Sequence, residues 1–209
     1  YTIDGKDYKF YEDDSQIMVK GTCYYDRRLD ASSYPSIECE TVFSVVNADC
    51  LTVAKDLKDK GHNVAVLNMA SRQNPGGGVL TGAGAQEENL FRRSNLFQSM
   101  FQFAKYAKQY GLVANCKQYP LNRDDGGIYT PNATVFRCEE KDGYPLLGEG
   151  SFRMSFIAVP GINRPELKDA THLADNMIEG TKNKMRTILR IGLRHGHDSL
   201  VLGALGCGA

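Results

Sequence analysis

The sequence predicts an α/β domain of three layers, a buried sheet with helices on both faces. Three observations lead there. Short apolar runs recur at Thr41–Val46, Val64–Met69, Ser155–Val159 and Ser199–Leu202. Helix-period stretches separate them. Two glycine-rich segments each follow one of the runs directly. Strands covered on both faces read as continuous apolar runs, and alternation of strand and helix is what a layered α/β sheet requires.

The elements follow in order. Thr41–Val46 is read as a buried strand. Asn47-Ala48-Asp49 leads from it into a helix running to about Lys60, with Leu51, Ala54 and Leu57 on one face and Gly61 just past its end. Val64–Met69 is the next strand. From Gln86 to about Gln109 the period is helical, with Leu90, Phe97, Met100, Phe101 and Ala104 near one face. Asp124-Asp125-Gly126-Gly127 is a turn, Gly126–Phe136 contains a strand, and Lys141–Gly150 is a loop. Ser155–Val159 is a strand stopped by Pro160-Gly161. Thr171–Arg194 is a long helix with Ile178, Met185, Ile188 and Leu189 turned inward. His195 and His197 lie past its end, where the helix dipole favours the charged imidazole. Ser199–Leu202 then runs into Gly203-Ala204-Leu205-Gly206-Cys207-Gly208-Ala209. Ligands of such sheets bind beyond the carboxyl ends of the strands, so the two glycine-rich segments are expected to meet over one cleft.

Composition narrows the function. With 209 residues the chain can bury the core of one domain. No run approaches the roughly 18 apolar residues of a membrane span. The formal net charge is zero, which argues against wrapping a long polyanion, so direct DNA binding is not expected. The six cysteines (Cys23, Cys39, Cys50, Cys116, Cys138 and Cys207) form no CxxC pair and no Cys/His cluster. They read as free thiols of a reducing, intracellular compartment rather than zinc ligands, and neither metal nor cofactor is expected. The chain opens on Tyr1 rather than Met, so an upstream start is expected and targeting cannot be read. No Gly-Lys-Ser/Thr phosphate loop occurs. Gly82-Ala83-Gly84 does not complete a dinucleotide fingerprint, because Glu87 stands where its third glycine would be.

The most informative stretch is Gly76–Glu88, with five glycines followed by Gln86-Glu87-Glu88. Glycine lets a backbone take positive φ and approach a ligand, and successive free N–H groups form an anion-binding nest. Carboxylates directly after such a nest place acid–base chemistry beside whatever it holds. Adjacent residues diverge by about 100° on a helix, so Glu87 and Glu88 are not a proton-sharing dyad. At a first helical turn the dipole favours their ionised forms, whereas burial or a ligand phosphate raises a pKa. A carboxyl tuned upward protonates a leaving oxygen and then serves as base toward water, which is the chemistry of glycoside hydrolysis. The plain alternative is an acidic helix start.

The GGG followed by QEE resembles the signature of poly(ADP-ribose) glycohydrolases. The flanks Val66–Pro75 and Asn89–Ser94, with Val46-Asn47-Ala48-Asp49, Tyr129–Arg137 and Gly203–Ala209, resemble the microbial type in particular. The resemblance covers residues 40–209. It implies a three-layer macrodomain-like fold, with a mixed central sheet flanked by helices, that binds ADP-ribose and cleaves the ribose–ribose O-glycosidic bond of poly(ADP-ribose). Carried over by position, Glu88 is the catalytic acid/base and Glu87 holds ribose hydroxyls. Gln86 supports the loop. Gly76, Gly77 and Gly78 pass close to the distal ribose and diphosphate, and Gly203, Ala204, Leu205, Gly206, Cys207, Gly208 and Ala209 form a second phosphate loop.

Other positions keep two readings. Asp49 either accepts from the adenine amino group or caps the following helix. Asn74 either orients ribose hydroxyls or serves the turn before Pro75, and Asn68 could do either job at its strand end. Phe136, Phe152 and Tyr129 stack on adenine or fill the core.

Two segments are expected: an N-terminal extension over 1–40, and the catalytic domain over 41–209. The family continues past the second phosphate loop, so that domain is expected to be incomplete at its C-terminal end. The favoured activity is exo-acting hydrolysis of the polymer by a monomer, since a neutral protein suits capture of one terminal unit. ADP-ribosylated proteins are its expected partners. Hydrolysis of mono-ADP-ribose from protein or nucleobase, and ADP-ribose reading without catalysis, are the alternatives.

Overall fold

The computed structural model describes residues 2–3, 6–7, 12–30, 32, 34 and 39–206. A two-stranded ladder, β1 (Thr2–Ile3) with β2 (Lys6–Asp7), precedes helix α1 (Glu12–Gly21). Then come β3 (Cys23–Tyr25), α2 (Cys50–Asp59), β4 (Val64–Asn68), α3 (Gln86–Arg93), α4 (Leu96–Met100), β5 (Gly127–Val135), β6 (Phe152–Ala158), α5 (Asp175–Arg194) and β7 (Ser199–Val201). Five strands form one mixed sheet in the order β3-β5-β6-β4-β7. β4 runs parallel to both β6 and β7, and β5 runs antiparallel to β3 and β6. No helix among the described residues is long and apolar enough to cross a membrane.

The strand period of two divides the core between the faces of the sheet. Val64 and Val66 of β4 and Met154, Phe156 and Ala158 of β6 join Met18, Leu51, Ala54, Leu90 and Leu96 from α1 to α4 on one face. Ala65, Leu67, Ile157 and Val159 meet Ile188 and Ile191 of α5 on the other. This is the three-layer arrangement the apolar runs imply. The segment read as an extension contributes β3 to the sheet and Met18 to the core.

Several local expectations need correction. Thr41–Val46 is not a strand: it is irregular and exposed, with Phe43 at 88% and Val45 at 102% relative exposure. A β-branched run becomes a strand only where a neighbour completes its ladder, and among the described residues none pairs with it. The helix expected over Gln86–Gln109 breaks at Ser94, which is extended and bridges Val135 of β5. α5 begins at Asp175, four residues later than expected. It also uses a different face. Ile188 is buried, but Ile178, Met185 and Leu189 are exposed, and Lys184, Thr187, Ile191 and Gly192 take the inner positions. The helix carries two apolar stripes, and the one with small residues approaches the sheet. A Cβ on Gly192 would already stand 3.0 Å from Leu200.

His195 ends α5, with its ring stacked on Tyr129 at 3.5 Å and Nε2 lying 2.7 Å from the Tyr25 hydroxyl. Burial pulls its pKa down to about 4, and repulsion from His197 and Arg194 adds to that. Desolvation outweighs the helix dipole, so the ring is neutral, contrary to the expectation of a charged one. Tyr129 is thereby a core residue, and Phe152 packs against the opposite cluster.

The two stripes of α5 can be told apart by mutation. Ile188→Ala should cost about 2–4 kcal/mol in urea unfolding, whereas Met185→Ala should stay within about 0.5 kcal/mol. Equal losses would mean that the helix buries the other face.

Candidate active site

β4, β6 and β7 point their carboxyl ends the same way, so the loops after Asn68, Ala158 and Val201 converge. The second glycine-rich segment packs on the end of β4, where a Cβ on Gly203 would sit 3.2 Å from Cε and Sδ of Met69, and Gly84 and Gly203 line one cavity. Gln86 ties the start of α3 to the end of β4. Its Oε1 accepts from Met69 N at 2.8 Å, and its Nε2 donates to Leu67 O at 2.7 Å. The amide thus takes the place of a neighbouring strand at the last ladder positions.

This latch brings the two carboxylates under the loop. Glu87 is buried, and main chain holds it: Ser71 N donates to Oε2 at 2.6 Å and Gly76 N to Oε1 at 3.1 Å. Asn68, fully buried behind it, donates from Nδ2 to Oε1 at 3.4 Å. Glu88 is oriented differently. Its Oε1 accepts from Gly78 N at 2.8 Å, while its Oε2 is buried without a hydrogen-bond partner. The fit requires glycine. Gly76 and Gly77 have φ of +74° and +55°, and a Cβ on Gly77 would collide with Glu88 Oε1. On Gly76 it would lie 2.7 Å from the Phe91 ring.

Burial pushes the Glu87 pKa up to about 8, against the lowering effect of the Ser71, Gly76 and Asn68 hydrogen bonds and with repulsion from Glu88. Desolvation therefore outweighs the helix dipole here as well, which changes the expectation of an ionised group.

Beside the carboxylates lies a cavity of about 420 Å³ that reaches Asp49, Cys50, Met69, Gln86 and Gly203. Asp49 caps α2, accepting from Leu51 N and Thr52 N at 3.1 Å. It also holds buried Arg93 through a two-pronged pair at 2.8 and 3.0 Å. Burial raises its pKa, but the Arg93 guanidinium and the two N–H donors more than offset that and leave it lowered. Asn74 is exposed in the turn, where its carbonyl accepts from Gly77 N at 3.1 Å. Gly203, Ala204 and Gly206 are exposed, Leu205 is half-buried, and Cys207, Gly208 and Ala209 lie outside the described residues. Two contributors were missed by the sequence reading. Ser71 acts through its backbone, which no side-chain pattern reveals. Arg93 left a signal: a cation three residues after Leu90 and three before Leu96, both fully buried.

Fold and site define a macrodomain-like α/β protein with a carboxylate-bearing cleft at the carboxyl ends of its parallel strands. The model of the microbial-type poly(ADP-ribose) glycohydrolase (PARG) catalytic domain matches residues 1–138. The chain belongs to this family. Among solved structures it is similar to the poly(ADP-ribose) glycohydrolase of Thermomonospora curvata, with 32% identity, 94% of this chain and 70% of that one covered, and a TM-score of 0.70. The same enzyme bound to the inhibitor ADP-HPD matches at 30% identity, 94% and 69% coverage, and a TM-score of 0.69. The Deinococcus radiodurans enzyme in complex with ADP-ribose matches at 28% identity, 93% and 77% coverage, and a TM-score of 0.67. No curated protein matches the chain.

The state of Glu87 has a measurable sign. Its folded pKa, about 8, stands above the ordinary 4.5. Between those values the folded protein keeps a proton that the unfolded chain has released. The Glu87 contribution to stability therefore falls as pH rises through this window and is flat outside it. The urea midpoint of the parent should decline relative to that of Glu87→Gln between pH 5 and pH 8. Parallel curves would place the Glu87 pKa near that of a free carboxylate.

Proposed function

We propose that this protein hydrolyses the ribose–ribose O-glycosidic bond of poly(ADP-ribose), releasing ADP-ribose from the chain terminus. The observation that carries the reading is Glu88: one oxygen is fixed by Gly78 N, and the other is buried, unpartnered and beside the glycine loop. A buried carboxyl oxygen without a partner is costly unless a ligand meets it. Family membership and the ADP-ribose complex of the Deinococcus relative support the choice of ligand.

In the first step Glu88 gives its proton to the leaving 2′-oxygen as the bond from that oxygen to the anomeric carbon breaks, and the bonding electrons stay with the oxygen. The ribose becomes oxocarbenium-like. Water then adds to the anomeric carbon and returns its proton to the Glu88 carboxylate, which restores the acid. Glu87 holds ribose hydroxyls through the proton that burial keeps on it, since both of its oxygens already accept from protein donors. Asn68 acts through Glu87 as a positioning residue. Gly76, Gly77, Gly78 and Asn74 border the distal ribose, and Gly203–Gly206 approach the diphosphate with their backbone. Asp49 Oδ1 already serves α2 and Arg93, whereas Oδ2 has Arg93 alone, which leaves it one acceptor position for the adenine amino group. The neutral charge of the chain suits engagement of a single terminal unit.

The test is incubation with poly(ADP-ribose) and, separately, with mono-ADP-ribosylated protein. The parent should release free ADP-ribose from polymer. Glu88→Gln should lose activity by roughly 10²–10⁴-fold while still binding ADP-ribose. Equal rates in both proteins would remove Glu88 from the mechanism. Release only from the mono-modified target would change the substrate, and oligomeric products at early times would replace exo with endo cleavage.

A further inference from the structure

The segment Met69–Gln73, leaving β4, separates two cavities. The cavity on the Met69 side carries Asp49, Gln86 and Gly203. On the other side lies a space of about 370 Å³ bounded by Arg72, Gln73, Arg123 and the turn Gly161–Asn163. Ser71, whose N–H holds Glu87, sits at the divide. Both chambers therefore border the segment that grips Glu87. Gly161 also packs on the second glycine-rich segment, where its Cβ would lie 3.0 Å from Gly206 N.

The second chamber is cationic, and its charges form no ion pairs among the described residues. Arg72 Nε is buried with no hydrogen-bond partner. Neither Arg72 nor Arg123 forms an ion pair among the described residues. Behind them is Lys184 of α5, only 2% exposed, with Nζ unpartnered. Gly180, one turn earlier on the same helix face, reaches the cavity wall: a Cβ there would stand 3.5 Å from Ile162. Burial lowers the Lys184 pKa to about 8. Attraction from Asp124 and Asp125 opposes that, and repulsion from Arg72 and Arg123 reinforces it. The two aspartates face the cluster without pairing with it, so three cations stand against two anions. A buried cation left without a partner costs several kcal/mol, and an anionic ligand offsets that cost.

We propose that the chamber bounded by Arg72 and Arg123, with Lys184 buried behind them, is a phosphate subsite, occupied by the diphosphate of the second ADP-ribose unit, on the leaving side of the scissile bond. This rests on the polymer reading above. Poly(ADP-ribose) carries a diphosphate on each side of every ribose–ribose bond, and the backbone of Gly203–Gly206 serves the terminal one. For the next diphosphate the second chamber supplies side-chain cations. Guanidinium groups bind phosphate through charge-assisted, often two-pronged hydrogen bonds.

Calorimetry in the Glu88→Gln background, with ADP-ribose and with a di(ADP-ribose) unit as probes, separates the possibilities. The dimer should bind more tightly than the monomer. Arg123→Ala, which alters an exposed side chain, and Lys184→Met should each weaken dimer binding roughly tenfold and leave ADP-ribose affinity unchanged. Unchanged ADP-ribose affinity also reports that each variant is folded. Equal affinity for dimer and monomer would overturn the subsite. So would an equal loss for both probes, since the cations would then serve the terminal unit. In an otherwise wild-type background the same substitutions should raise KM for polymer and spare kcat. An inactive parent whose dimer affinity still depends on Arg123 would overturn the hydrolase reading and leave the subsite standing.

Discussion

The structure turns on placing two carboxylates out of water beneath a stretch of main chain. Moving a carboxyl group into a protein interior is costly unless donors meet its oxygens. Here the donors are backbone N–H groups of Ser71, Gly76 and Gly78. Such donors exist only if the loop folds back over α3, and the loop folds back only if Gly76 and Gly77 take positive φ without a Cβ in the way. Loop and helix each supply what the other lacks. Gln86 closes the arrangement by bonding to Leu67 O and Met69 N, which ties the strand end to the helix start.

The sheet explains why this body sits where it does. β4 is parallel to both of its neighbours, so three loops leave the same edge. A parallel sheet with both faces covered leaves the strand ends as the place where backbone groups remain available to a ligand. α5 covers one face and α1 to α4 the other, and the alternation along β4 and β6 assigns each side chain to its cluster. The cleft then inherits rigidity from the sheet while its surface is made of loops.

The site was more legible in the sequence than parts of the fold. Gly76–Glu88 is contiguous, so spacing alone places glycines and carboxylates together, but the N–H groups of Gly76, Gly77 and Gly78, expected free for an anion, are taken by Glu87, Asn74 and Glu88. Layer order was legible too, because apolar runs of four to six residues with glycine at their ends have few other readings. What failed was whatever depends on partners distant in sequence. Thr41–Val46 has the composition of a strand but no neighbour to complete its ladder. α5 has two apolar stripes, and only the closeness permitted by Gly192 against Leu200 decides between them. The Gln86–Gln109 pattern hides a break at Ser94 that is set by bridging to Val135, far along the chain. The Asp49–Arg93 pair joins two segments whose charges are unremarkable separately. His195 failed for a different reason: its helix-end position was read correctly, but stacking on Tyr129 and burial govern its charge.

The same competition between burial and partners separates the roles of neighbouring residues. Glu87 and Glu88 share a helical turn and a side-chain chemistry, and both are buried. Glu87 has both oxygens occupied by fixed donors, so its geometry is set and little is left for it to do except hold what approaches. Glu88 has one oxygen fixed and one free, which is what a group needs if it is to be oriented and still exchange a proton. Two carboxylates in two environments can take two tasks. The asymmetry comes entirely from where the N–H groups of the loop fall, and so from the two glycines that shape it. On the far side of Ser71 the logic is reversed. There, among the described residues, Arg72 Nε and Lys184 Nζ are the buried groups without a partner, so an anion is the partner that the charges of Arg72, Arg123 and Lys184 call for.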